Sequence, residues 1–220
     1  MSSFWVISVP IMVVCFIRVG YFKTILRPLN TLVHELSHAI IALVLGQKVK
    51  SISINNDGSG TCIIKSNSRI KSFLISFAGY IIPSLFGYFI ICEIYDSNVT
   101  MVLYLLTILG LIALIFYIRN TFAVLWIVGF CTFNITLLFV PYFYNIREIF
   151  LYLYACILLI ENFLSTIELF HLNLISSKKS GDSYNLQKTT HIPSIFFTLL
   201  FMVFSLFMVC KSFVVIKSYL

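Results

Sequence analysis

Charge is scarce in this chain. Only 10% of its 220 residues are Asp, Glu, Lys or Arg, 60% are hydrophobic, and mean hydropathy is +1.02. Soluble domains carry about 25% charged and roughly 45–50% apolar residues, so an ordinary soluble domain is excluded. Disorder is excluded too, because it needs few apolar residues and many charges. Paired cysteines are also lacking. Cys15, Cys62, Cys92, Cys131, Cys156 and Cys210 stand far apart, and five of them fall inside apolar runs. That spacing supports no disulfide framework, and without a Cys-x-x-Cys pair it supports no cysteine-built zinc site. No soluble stretch is long enough to gather basic residues on one face. The net charge of +7 therefore belongs to loops at a membrane surface, and no nucleic-acid partner is expected. No repeat or low-complexity tract occurs. A polytopic membrane protein remains, with residues 1–220 reading as one integral membrane domain.

A membrane-spanning helix needs about 20 mostly apolar residues. Seven runs qualify: Met1–Ile17, Pro28–Gln47, Ser72–Cys92, Ser97–Ile118, Asn120–Ile146 (ending near Pro141), Glu148–Ile175 and Ile192–Cys210. The first lacks a basic leader and a small-residue cleavage site, so it is expected to stay as a helix. The predicted fold is all-α, with six or seven hydrophobic helices in an unidentified membrane. Between runs two and three, Lys50–Ile54 and Thr61–Lys65 are rich in β-formers and flank Asn55–Gly60, where Asp57-Gly58 is a turn signal. A small β-hairpin at the membrane surface is predicted there. The linkers Lys48–Lys71 and Ser176–His191, with Arg119, carry much of the basic charge, which makes their shared face the cytoplasmic one. Asn98-Val99-Thr100 is a glycosylation sequon on the opposite face, relevant only in a eukaryotic host.

The decisive pattern is His34-Glu35-Leu36-Ser37-His38 inside the second apolar run. On a helix, residues four apart share a face. Two imidazoles so placed can grip one Zn²⁺ ion, and Glu35 beside them can act as base toward the water that the ion activates. An ionisable residue at the centre of a spanning helix costs about 2.5–3.5 kcal/mol on insertion scales. Three polar residues in five positions therefore need a reason, and a metal site supplies one. The plainer reading is a polar cluster that bonds neighbouring helices.

Zinc hydrolases usually have three protein ligands and one open position. The remaining histidines, His171 and His191, flank the last linker, and the acids to weigh are Glu161, Glu168 and Asp182. By spacing alone, Asp182 reads equally as a ligand and as an ordinary acid at a helix start. Glu161, Ser165, Glu168 and Leu172 share one helix face, and Asn162, Thr166 and Asn173 another. Such stripes should face the bundle interior or water, as interhelical bonds or a hydrated path. Gly79, Pro83 and Gly87 recur every four residues, which favours close helix packing with a kink at the proline.

Three stretches together resemble the site-2 protease family of intramembrane zinc metallopeptidases, in its compact branch without PDZ or CBS domains. They are His34–His38 with Ala39, then Phe77-Ala78-Gly79-Tyr80-Ile81-Ile82-Pro83, and Gly181-Asp182-Ser183-Tyr184-Asn185-Leu186 followed by Thr190-His191-Ile192-Pro193. Ser37 stands where the family often has Gly, Ser183 where Ala is usual and His191 where Gly is usual. The resemblance implies one Zn²⁺ per chain held by His34, His38 and Asp182, with Glu168 as the reserve third ligand. It implies Glu35 as catalytic base, Gly79 and Pro83 as structural support, and hydrolysis of peptide bonds in or beside the membrane-spanning segments of other proteins. The hairpin edge near Lys50–Ile54 could receive an extended substrate as an added strand; the alternative is a simple membrane-surface loop. Two other readings remain: a non-proteolytic protein with a structural zinc site, and a transporter using His34, Glu35, Glu161 and Glu168 as a proton or metal relay. The oligomeric state is left open. If all seven runs cross fully, His34 and Asp182 start from opposite faces. The second run is therefore either broken or re-entrant, or both sites lie near mid-membrane.

Overall fold

A computed structural model describes residues 3–218. Helices α1 (Ser3–Phe16) and α2 (Gly20–Val44) precede a hairpin of β1 (Lys48–Ile54) and β2 (Gly60–Lys65). Then come α3 (Arg69–Tyr95), α4 (Val99–Phe116), α5 (Thr121–Phe139), α6 (Arg147–Ile175), the short α7 (Gly181–Thr190) and α8 (Ser194–Ser218). Five helices are long and apolar enough to cross a membrane, and α1 with α2 makes a sixth if the bent pair is one span. The protein is thus an all-α, multi-pass integral membrane protein with a small hairpin.

The seven apolar runs are not seven separate crossings. The first two form a pair bent by 109°, with the break at residues 17–19. This resolves the clash of faces, because α2 leaves the direction of α1 and runs across the bundle. The tyrosine hydroxyl of Tyr152 near the start of α6 donates to the Val6 carbonyl (3.0 Å), while Arg18 reaches Glu161 and Glu168 further along the same helix. So α1 runs beside α6 in the same direction. From there α2 passes to α3, where His38 meets the Ile75 carbonyl. Its buried residues Leu29, Leu32, Val33, Leu36 and Ala39 fall at helical spacing, while Ile40, Leu43 and Val44 are exposed on the outside.

Charge locks the bend. Glu161 is buried and accepts from Arg27 at 2.7 Å and from Arg18 at 3.1 and 3.2 Å; Arg18 also reaches Glu168 at 3.1 Å. Removing one partner of a buried ion pair strands the others, at a cost of about 3–5 kcal/mol. Glu168 still reaches both arginines, so Glu161→Ala is expected to lower unfolding stability in detergent by less than that, by about 1–3 kcal/mol. An unchanged melting profile would show that the cluster does not hold α1 and α2 together.

The other polar stripe of α6 is interhelical. Asn162 donates to the Tyr80 carbonyl (2.9 Å) and the Ser84 hydroxyl (2.7 Å), Thr166 meets Ser205, and Asn173 donates to Thr198. The first of these meets α3 beside Pro83. Pro83 offers no N–H to the carbonyl four residues back, that of Gly79, and beside it the Asn162 amide bonds the Tyr80 carbonyl and fastens α3 to α6.

The hairpin forms as its sequence predicts. Ile54 pairs with Gly60 and Ile52 with Cys62, with an irregularity at Lys50. Gly58 takes φ +82° in the turn, a conformation natural to glycine. The Asp57 carboxylate accepts from the Ser59 amide (2.9 Å) and hydroxyl (2.7 Å), which holds it below the usual carboxylate range. Arg27 donates to the Asp57 carbonyl, and Thr31 to the Gly58 carbonyl at 2.7 Å, so the turn is stapled onto α2.

Candidate metal centre

One turn of α2 separates His34 from His38, and their Nε2 atoms stand 3.1 Å apart. The first turn of α7 brings Asp182 Oδ2 to 3.2 Å from His34 Nε2 and 3.1 Å from His38 Nε2. The three donors make a nearly equilateral triangle, open to solvent on a fraction of each side chain. Ligand atoms roughly 2.0–2.1 Å from one tetrahedral Zn²⁺ stand about 3.3–3.4 Å from one another, and two imidazoles with one carboxylate suit that ion. The residues present therefore fit a zinc ion, with a fourth position free for water.

The orientation of each ligand has a visible cause. His38 Nδ1 is hydrogen-bonded to the Ile75 carbonyl at 2.7 Å, which turns Nε2 toward the triangle as the ring atom available to a metal. His34 packs edge-on against half-buried Tyr80, ring centroids 4.7 Å apart. Removal from water would raise the Asp182 carboxyl, but the two imidazoles beside it hold it well below the usual carboxylate range. Its neighbour Ser183 is fully buried and donates to the Ser180 carbonyl, so a small hydroxyl fits where Ala is usual.

Two glycines admit the histidines and the glutamate. A β-carbon on Gly79 would stand 2.5 Å from His38 Cε1 and 2.8 Å from His34 Cε1. One on Gly60 would stand 2.5 Å from Thr31 Cγ2 and 2.9 Å from Glu35 Cγ. Glu35 is buried on α2, its carboxylate against Gly60, at the wall of a cavity of about 210 Å³ that also touches His34, Tyr80 and Glu168. A second cavity of about 400 Å³ lies on the other side, against His38, Cys62, Asp182 and Lys188. The triangle sits between the two.

Other residues named from the sequence lie elsewhere. Glu168, half exposed, is engaged by Arg18 and lies near Arg27, away from the triangle. His171 is exposed on α6, outside the cluster. His191 is exposed with φ +65° at the end of α7, where its amide donates to the Gln187 carbonyl. That left-handed cap is natural to glycine, which accounts for the family's usual residue at this place. Thr31 and the Ile75 carbonyl are site features that sequence reasoning missed. The small residues Gly58-Ser59-Gly60 were the one available signal, since a backbone acceptor leaves no trace in the sequence.

The strand edge also differs from expectation. The Ile52 amide donates to the Tyr117 carbonyl at 2.9 Å, and the Asn120 side chain takes both backbone groups of Ile54. The outer edge of β1 is thus occupied. Opposed antiparallel residues exchange both hydrogen bonds or neither. Because Ile52 and Ile54 bond outward, their partners Cys62 and Gly60 also turn N–H and C=O away from β1. The open edge belongs to β2, and its residues Gly60 and Cys62 line the two cavities.

The family model described as Peptidase M50B-like matches residues 6–212. No curated protein and no solved structure matches the chain.

Proposed function

Since the chain belongs to the Peptidase M50B-like family and is a membrane peptidase, we propose that it is an intramembrane zinc metalloendopeptidase. The observation that carries this reading is the triangle of His34, His38 and Asp182 with Glu35 beside it. These three side chains would hold one zinc per chain, which when bound makes water nucleophilic and polarises a peptide carbonyl. Glu35 takes the proton of the attacking water on its carboxylate and returns it to the leaving amine nitrogen as the C–N bond breaks. No side chain bonds covalently to the substrate.

A helix hides its carbonyls in internal hydrogen bonds, so the substrate must be extended at the cut. The free edge of β2 accepts such a strand by backbone pairing, which runs it from the Glu35 cavity past the triangle to the Lys188 cavity. The basic residues Lys48, Lys65, Lys71, Arg119 and Lys188 gather at this end, which makes it the cytoplasmic one. A relay transporter finds less support, because Glu161 and Glu168 are engaged by Arg18 and Arg27 rather than aimed at the histidines.

Zinc content of the detergent-purified chain tests the reading. About one ion per chain is expected in the wild type, with loss in both His38→Ala and Asp182→Ala. A metal-free wild type after zinc loading would end the peptidase reading, and zinc retained by Asp182→Ala would remove Asp182 from the ligand set.

A further inference from the structure

We propose that Asn120 is a positioning residue for substrate, acting through the hairpin; this rests on the strand-adding reading above. Asn120 sits at the N-cap of α5, where an asparagine ordinarily accepts an amide of the first helical turn. Here the side chain makes no such bond. It is turned instead onto the hairpin, where its Oδ1 accepts from the Ile54 amide at 3.2 Å and its Nδ2 donates to the Ile54 carbonyl at 2.5 Å. The carboxamide therefore imitates a residue of a neighbouring strand, extending the pairing begun by Ile52 and Tyr117.

Two consequences follow for the site. First, β1 has no free pair of backbone groups at Ile54, so an incoming strand is directed to β2. Second, Ile54 is paired with Gly60, and Gly60 abuts Glu35 and Thr31. The brace thus sets how closely the open edge lies beside the Glu35 carboxylate. It leaves the proposed metal ligands alone, since their own bonds run to one another and to the Ile75 carbonyl.

The test uses the zinc-loaded full chain as wild type, Asn120→Ala and Asn120→Asp. Aspartate remains a good helix cap and an acceptor for the Ile54 amide, but opposes a second oxygen to the Ile54 carbonyl. A loss shared by both variants therefore cannot come from capping. Backbone hydrogen exchange over residues 48–65 is followed beside cleavage of a labelled membrane-anchored peptide. Exchange in β1 should quicken about tenfold in both variants with α2 unchanged. KM should rise about tenfold with kcat within about twofold, at unaltered zinc content. Unchanged β1 exchange in Asn120→Ala would overturn the proposal, as would a fall in kcat at constant KM or a loss of zinc. If the zinc-loaded wild type cleaves nothing, the peptidase reading fails separately. The exchange result then decides the brace alone, faster exchange sustaining it and unchanged exchange overturning it.

Discussion

Exchanging Glu35 for glutamine is expected to leave zinc bound while cutting peptide cleavage by about 10²–10⁴-fold, the range a positioned general base contributes. Glutamine keeps the shape of the side chain, so the packing against Gly60 and Thr31 survives. It loses only the capacity to take a proton from water. The proposed metal ligands lie on other atoms, at His34, His38 and Asp182, so zinc content serves as the internal control. The outcome also separates the three functional readings. A structural zinc protein would show no activity to lose. A relay would lose ion flux into vesicles without any cleaved product appearing in either form. Cleavage persisting at wild-type rate in the variant would remove Glu35 from the mechanism.

Replacing Gly79 with alanine should empty the metal centre. The new methyl would meet His38 Cε1 at 2.5 Å, His38 Nε2 at 2.6 Å and His34 Cε1 at 2.8 Å, all closer than real side chains approach. The rings have little freedom to yield, because His38 is tethered through Nδ1 to Ile75 on the same helix that carries Gly79. Either α3 must withdraw or the imidazoles must rotate away from Asp182. Overpacking of this kind costs about 1–3 kcal/mol, which a bundle of this size can absorb. The triangle cannot, and disturbing such ligand support typically costs 10–100-fold in metal affinity, so a direct clash should cost about 100-fold or more. Zinc titration with circular dichroism as a folding control checks this. Wild-type zinc affinity in a folded Gly79→Ala chain would mean that α3 does not set the histidine geometry.

The parts of this fold that depend on short-range pattern were readable in the residues. The hairpin carried its own alternation and its Asp57-Gly58 turn, and His34 and His38 announced a shared face by their spacing. The two stripes of α6 were legible as facing the bundle interior or water: Glu161, Asn162 and Thr166 are buried, while Glu168 is half exposed. A re-entrant or broken second run was one of two readings of the clash of faces, but the place of the bend, between α1 and α2, was not legible, because hydropathy counts apolar residues and is blind to the direction a chain takes after Phe16. Its cause is long-range: Arg18 and Arg27 are 143 and 134 residues from Glu161, and periodicity does not reveal which charges pair. The meeting of Asp182 with the histidines had the same difficulty, at a separation of 144 residues from His38. Spacing alone left that acid at even odds, and the family resemblance was what favoured it. The edge of β1 was misjudged for a related reason. An asparagine before a helix reads as a cap, and only the packed structure shows it spent on Ile54.

The Ile75 carbonyl that steadies His38 lies six residues into α3, or about 9 Å from the first residue of a helix about 40 Å long. Under the proposed function, bonds are therefore cut close to one end of a client's anchor and not at its middle. The two fragments would part unequally. One would keep nearly the whole greasy segment and stay in the lipid. The other would leave with only a short apolar stub, too little to retain it, and would dissolve into the compartment that the basic loops face. Under that proposal, a cut at that depth would turn a tethered protein into a freely diffusing one in a single step.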